Sequence, residues 1–161
     1  MIIGIDPGIN KTGFGIISET GFSPKYIESG TIKNKSDMTQ SEKLNNIFSN
    51  IELLIQKYEI KSIILEETFV NSNPNTSMIL GYARGIIILL AGIHNLPIYE
   101  YAPNHIKKTI TGNGHADKEQ VQYMVKTILN IRKEFKNFDE SDALAIALTH
   151  KEIPNALANV I

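Results

Sequence analysis

Apolar and polar positions change their spacing along this chain in a way that separates its elements. The opening Met1-Ile-Ile-Gly-Ile is almost wholly apolar and closes on Asp6-Pro7-Gly8, which predicts a buried strand over 2–6 and then a tight turn. Phe14, Ile16 and Ile17 predict a second strand over 12–18, and a third over 26–33 follows the turn residues Gly21 to Pro24. Connections this short favour an antiparallel meander. The spacing then becomes helical, because Leu44, Ile47, Ile51, Leu54 and Tyr58 share one stripe of a helix predicted over 39–58. Ile63, Ile64 and Leu65 in succession predict a strand over 61–66 that is buried on both faces.

Past a polar loop, Asn73 is a helix cap and Pro74 a first helical residue, so a long helix is predicted over 74–95 and stopped by Leu96-Pro97. A strand over 97–101 and a short helix over 103–111 follow, the latter broken by Gly112-Asn113-Gly114. Asp117 and Gln120 have the spacing of a capping box for a helix over 117–131. A charged connector, 132–137, leads to a last helix over 139–151, which Pro154 ends. This order predicts an α/β domain: a mixed sheet with antiparallel first strands and parallel later strands, flanked by helices. In such a sheet the tips of the first and fourth strands can be neighbours, which would let Asp6 and Glu66 meet. One domain is expected over 1–152, with a short C-terminal tail over 153–161.

Composition narrows the function classes. A chain of 161 residues, 42% hydrophobic, suits a single core and leaves no room for the two lobes of an actin-like ATPase. With no Cys there are no disulfides, thiolate metal sites or Cys nucleophiles, which fits a reducing cytoplasm. The N-terminus reads as a strand without a basic leader, so no signal peptide is expected. The most apolar run, 86–93, falls short of a membrane span, and no membrane role is expected. Net charge is −1, yet Lys107, Lys108, Lys118, Lys126, Arg132, Lys133 and Lys136 gather in one segment. Such a segment is either a solvated helical face or a surface for phosphates.

The candidate chemistry lies in acids at element ends. Asp6 ends the first strand, Glu66 the fourth, and Asp139 and Asp142 stand three apart at a helix start, where they share a face. Singly each has a structural explanation: a turn for Asp6, a solvated strand end for Glu66, an N-cap for Asp139 with Asp142 at the third position. Jointly they have the character of a divalent-metal site for phosphodiester chemistry.

The sequence resembles the RuvC family of bacterial Holliday-junction resolvases, a branch of the ribonuclease-H-like fold. The resemblance runs from Ile2 to about His150. It is carried by Gly4-Ile-Asp6-Pro-Gly8 with Thr12-Gly13, Leu65-Glu66-Glu67-Thr68-Phe69, Gly81-Tyr-Ala-Arg84-Gly85, Tyr101-Ala-Pro103, Lys107-Lys-Thr-Ile-Thr-Gly112-Asn-Gly114, Asp117-Lys118-Glu-Gln-Val121 and Asp139-Glu-Ser-Asp142-Ala-Leu-Ala-Ile-Ala. It implies that Asp6, Glu66, Asp139 and Asp142 are catalytic carboxylates holding two Mg²⁺ ions, with Mn²⁺ able to substitute. Some relatives have His at the position of Asp139. Phe69 is implied at a base near the junction centre, or on the residues alone is a core aromatic. Lys107 and Lys118 are implied at phosphates, and Arg84 is either a further phosphate contact or a snorkelling surface residue.

The implied activity is the paired nicking of four-way DNA in strands of like polarity, leaving 5′-phosphate and 3′-hydroxyl ends, by a homodimer built largely on the helix over 74–95. The implied partners are junction DNA and a branch-migration motor of RuvA and RuvB. The rival readings are another ribonuclease-H-like nuclease acting on RNA and a non-catalytic junction-binding protein.

Overall fold

The computed structural model describes residues 1–19, 23–68, 74–152 and 159–160. Among these, five helices pack on a six-stranded sheet of order β3-β2-β1-β4-β5-β6. The strands β1 (Ile2–Asp6), β2 (Lys11–Ser18) and β3 (Lys25–Lys33) form the predicted antiparallel meander. β4 (Ser62–Glu66) pairs parallel with β1, and β5 (Ile98–Tyr101) pairs parallel with β4. Helix α1 (Gln40–Tyr58) precedes β4, and α2 (Pro74–His94) links β4 to β5. α3 (Pro103–Thr111), α4 (Lys118–Ile128) and α5 (Phe138–Glu152) follow β5. Residues 159–160, read from the sequence as part of a tail, form β6, which pairs antiparallel with Tyr99 and Glu100.

Strand alternation divides the core into two layers. Ile3, Ile5, Ile63 and Leu65 face α1 and α2, whereas Ile2, Ile64 and Tyr101 face α3, α4 and α5. The buried stripe of α1 is Ile47, Ile51 and Ile55, with Leu44, Leu54 and Tyr58 only half-buried at its sides. Both capping boxes form: Thr39 with Glu42 opens α1, and Asp117 with Gln120 opens α4. α4 ends at Ile128, earlier than its apolar pattern suggested, because Asn130 turns left-handed at φ 51°. Ile131 N–H then donates to the Lys126 carbonyl at 2.9 Å and closes the end. α5 begins at Phe138, so Asp139 lies inside its first turn and is not the N-cap.

The stretch 75–94 reaches a mean hydropathy of 1.7, enough by length and composition to cross a membrane. The run 86–93 is short by itself, and the Gly, Ala and Met residues before it extend the apolar window. In the fold, Ala83, Ile87, Leu90 and Ala91 of this helix are buried in the core shared with α1 and the sheet. Met78, Ile79, Tyr82, Ile88, Leu89 and Ile93 of the same helix are exposed.

α5 lies unusually close to the hairpin. A Cβ at Gly4 would stand 2.1 Å from the Ala143 carbonyl oxygen and 2.7 Å from the Ala147 nitrogen, and one at Gly13 would stand 2.3 Å from the Asp139 carbonyl oxygen. Backbone meets backbone here, so no flexible side chain can yield. Gly4→Ala is therefore expected to destabilise the fold by about 1–3 kcal/mol or more through overpacking. A urea midpoint equal to the wild-type value would show that the helix can lift without cost.

Candidate active site

The register of the sheet brings the first two acids together. Ile5 is level with Leu65 across the parallel β1–β4 pair, so Asp6 and Glu66 occupy the next positions on adjacent strand tips. Strand alternation turns both toward the α5 layer, as it does Ile2 and Ile64. Gly13 is level with Asp6 on β2 and lies against the backbone of Asp139. That contact sets the first turn of α5 over the strand tips. Asp142 stands one turn further along the same helical face.

Asp6, Glu66 and Asp142 line one pocket of about 340 Å³ together with Lys107 from α3 and Lys118 from α4. Pro103, Ile106, Val121, Ala145 and Ile146 supply its apolar wall. Lys118 donates to Asp142 Oδ2 at 2.8 Å. Asp139 stands beside this pocket, close enough to raise the pKa of Asp6, and its Oδ2 is buried with no hydrogen-bond partner among the described residues. As the side chains stand, no group of three His, Cys, Asp or Glu among the described residues converges to grip one ion. Asp142 is engaged with Lys118 instead.

The remaining expected site residues divide. Phe69 lies outside the described residues. Arg84 is turned inward: it pairs with Glu100 of β5 and donates to the Glu66 carbonyl oxygen at 3.2 Å. Both side chains of that pair are 14% exposed, so Arg84 is neither a snorkelling surface group nor an open cation in this structure. The basic segment is also less free than its composition suggested, because Lys126 pairs with Glu134 and Lys133 with Glu140.

Sequence reasoning passed over Glu140 entirely. Its side chain is buried, accepts from Ser29 Oγ at 3.0 Å and Lys133 Nζ at 3.2 Å, and accepts from the Lys136 N–H at 3.2 Å. These bonds, with Thr31 Oγ1 to Asn137 Oδ1 at 3.0 Å, tie β3 to the connector and to the first turn of α5. Ser29 lies 111 positions away, so no local pattern could have announced the contact.

Comparison with known proteins gives the family. The family model described as "Crossover junction endodeoxyribonuclease RuvC" matches residues 2–150. The crossover junction endodeoxyribonuclease RuvC of Ehrlichia canis is 46% identical, over 92% of this chain and 94% of its own. The chain belongs to the RuvC family. The RuvC of Alkaliphilus metalliredigens is 41% identical over 93% of this chain and 92% of its own. Among solved structures, Thermus thermophilus RuvC in complex with a Holliday junction substrate superposes with a TM-score of 0.92 at 28% identity, covering 99% of this chain and 98% of that one. The yeast mitochondrial Holliday junction resolvase Ydc2, at 15% identity and a TM-score of 0.67, shares the fold, and covers 94% of this chain and 77% of that one.

The acids of this pocket are held in a costly state. Burial, then the charges of Asp142 and Asp139, pushes Asp6 up to about 6. Burial, then Asp6 and Asp142, pushes Glu66 up to about 7. The hydrogen bond to Asp142 raises Lys118. Because Asp6 and Glu66 bind protons more tightly when folded, their contribution to stability is present at low pH and is lost as pH rises from about 4 through about 7. With a chelator present, Asp6→Asn and Glu66→Gln are expected to melt above the wild type at pH 8 and to lose that advantage at pH 4. Thermal melts at the two pH values check this, and a pH-independent difference would contradict it.

Proposed function

We propose that this protein resolves four-way DNA junctions by metal-assisted hydrolysis of one phosphodiester in each of two strands of like polarity. The observation that carries the reading is the convergence of Asp6, Glu66 and Asp142 with Lys107 and Lys118 in one open pocket. Asp6, Glu66, Asp139 and Asp142 together suit Mg²⁺, since a hard cation prefers oxygen donors and Asp139 offers a buried oxygen without a partner. Bound there, a pair of Mg²⁺ ions, or Mn²⁺ in their place, supplies an activated water and neutralises charge at the phosphate.

The chain's own residues do the positioning. Lys107 and Lys118 meet phosphate oxygens from the α3 and α4 side, and Lys118 passes from Asp142 to the phosphate as substrate enters. Water oxygen bonds to phosphorus while the bond to the 3′ oxygen breaks, leaving a 5′-phosphate and a 3′-hydroxyl. Arg84 acts indirectly by fixing the backbone at Glu66. Phe69, three residues beyond Glu66, is assigned to a base at the crossover, where stacking contributes about 1–3 kcal/mol.

A junction with two-fold symmetry is matched by a C2 dimer. The exposed face of α2 supports that assembly: Met78, Tyr82 and Leu89 lie on it at helical spacing, and among the described residues nothing stands within 4 Å of where a Cβ of Gly81, Gly85 or Gly92 would be. Action on DNA and the absence of Cys favour the cytoplasm. Family membership supports work beside a RuvA–RuvB motor, and the single domain over 1–152 is the catalytic unit.

Cleavage of an immobile four-way DNA junction in Mg²⁺, with structured RNA as the competitor, tests the activity. Asp6→Asn, Glu66→Gln and Asp142→Asn are each expected to slow cleavage by a factor on the order of 10²–10³, as loss of one preorganised charge does elsewhere, while junction binding persists. Two of these variants cutting at the wild-type rate would remove the site assignment. For assembly, Leu89→Glu is expected to turn a dimer into a monomer in sedimentation, and an unchanged dimer would place the interface elsewhere.

A further inference from the structure

Four lysines that do not line the acidic pocket gather at one corner of the sheet. Lys11 and Lys33 are opposed across the β2–β3 pair, and both are exposed. Lys35 is exposed just beyond β3, and Lys43 reaches from α1 to Asn10 Oδ1 at 3.0 Å. None of the four has an ion pair among the described residues, whereas Lys57, Lys118, Lys126 and Lys133 all do. Like charges directly opposed on a sheet are destabilising. An anion resting on the pair would relieve that cost.

The corner has a defined shape. Asn10, Lys11, Lys33, Asn34, Ser36 and Lys43 line a groove of about 480 Å³. Asn34 holds it together: its Nδ2 donates to the Ile9 carbonyl at 2.7 Å and the Lys43 carbonyl at 3.2 Å, and its N–H donates to the Asn10 carbonyl at 3.0 Å. Asp37 and Glu42 line the adjoining groove with Lys33 and Lys35. Glu42 is occupied in the capping box, where it accepts from the Thr39 N–H and hydroxyl at 2.7 Å.

Its placement relates it to the acids. Lys11 is two residues outward from Gly13, on the same side of the strand, and Gly13 is the residue beneath Asp139. Two residues of strand are roughly 7 Å. Lys107 and Lys118 approach the acids from the α3 and α4 side, whereas Lys11 and Lys33 stand beyond β1 on the opposite side. The acidic tip therefore lies between two basic surfaces.

We propose that the corner formed by Lys11, Lys33 and Lys35 is a second phosphate-binding surface, which holds the backbone of the DNA arm on the far side of the strand being cut. This rests on the junction-cleaving reading. The test uses the full chain carrying Lys11→Gln, Lys33→Gln and Lys35→Gln together, and the corresponding triple Arg variant. Junction binding is measured against salt, and single-turnover cleavage is measured at saturating protein. Each phosphate that a lysine no longer neutralises makes the slope of log K against log salt shallower by about 0.9.

The Gln variant is expected to have a slope shallower by about 2–3 with an unchanged saturated rate and no loss of melting temperature. The Arg variant is expected to keep the wild-type slope. If the triple variant does not fold, Lys35→Gln alone should still shift the slope by about 0.9. A wild-type slope in the Gln variant, while the wild type binds and cuts junctions, overturns the second surface and leaves the function standing. A wild type that neither binds nor cuts four-way DNA overturns both.

Discussion

Direct backbone contact between α5 and the β1–β2 hairpin is the constraint on which the site depends. Asp139 and Asp142 belong to a helix, and Asp6 to a strand whose remaining residues are core. They become neighbours only because Gly4 and Gly13 present no Cβ, so the carbonyls of Ala143 and Asp139 rest against the sheet. An alanine at either position would have to push the helix outward, because interiors packed near crystal density have no slack to absorb a methyl group. The same contact buries Ala143, Leu144, Ala145 and Ala147 of α5. The small residues of this helix thus serve packing and chemistry at once.

Once assembled, the site works against the stability of the fold. Three carboxylates share a partly buried pocket, and their repulsion and desolvation hold Asp6 and Glu66 well above ordinary carboxylate behaviour. Lys118 relieves part of this by engaging Asp142. Crowded oxygens beside the ammonium groups of Lys107 and Lys118 have the donor chemistry that suits a divalent cation. Perturbed acids in a cleft are the electrostatic form such catalytic sites take.

Two buried charges outside the pocket hold its parts in register. Arg84 crosses from α2 to Glu100 and the Glu66 carbonyl, so the helix with the exposed apolar face also touches the tip of β4. Glu140 points away from Asp139 and clamps the connector to β3 through Ser29 and Lys133. Removing Ser29 or Lys133 would leave the buried Glu140 carboxylate short of partners, which costs more than the bonds themselves contribute. Both touch the elements that carry the candidate acids, Arg84 at the tip of β4 and Glu140 in the first turn of α5.

The sequence by itself determined the elements and named the candidate acids. Period-two and helical spacing, Pro and Gly punctuation and the two capping boxes are local signals, and they placed α1, α3, α4 and the first five strands within a residue or so of their observed ends, apart from the late end of α4. Asp6, Glu66, Asp139 and Asp142 were legible because each sits at an element boundary within a recognisable motif. Tertiary structure alone decided which side chains were already engaged. Arg84 turned inward, Lys118 closed on Asp142, Glu140 became a buried anchor, and Lys11 met Lys33 across the strands. The physical reason is range: caps and stripes act within a few residues, whereas ion pairs and backbone contacts depend on packing between segments more than a hundred positions apart, as Ser29 and Glu140 or Gly4 and Ala143 are.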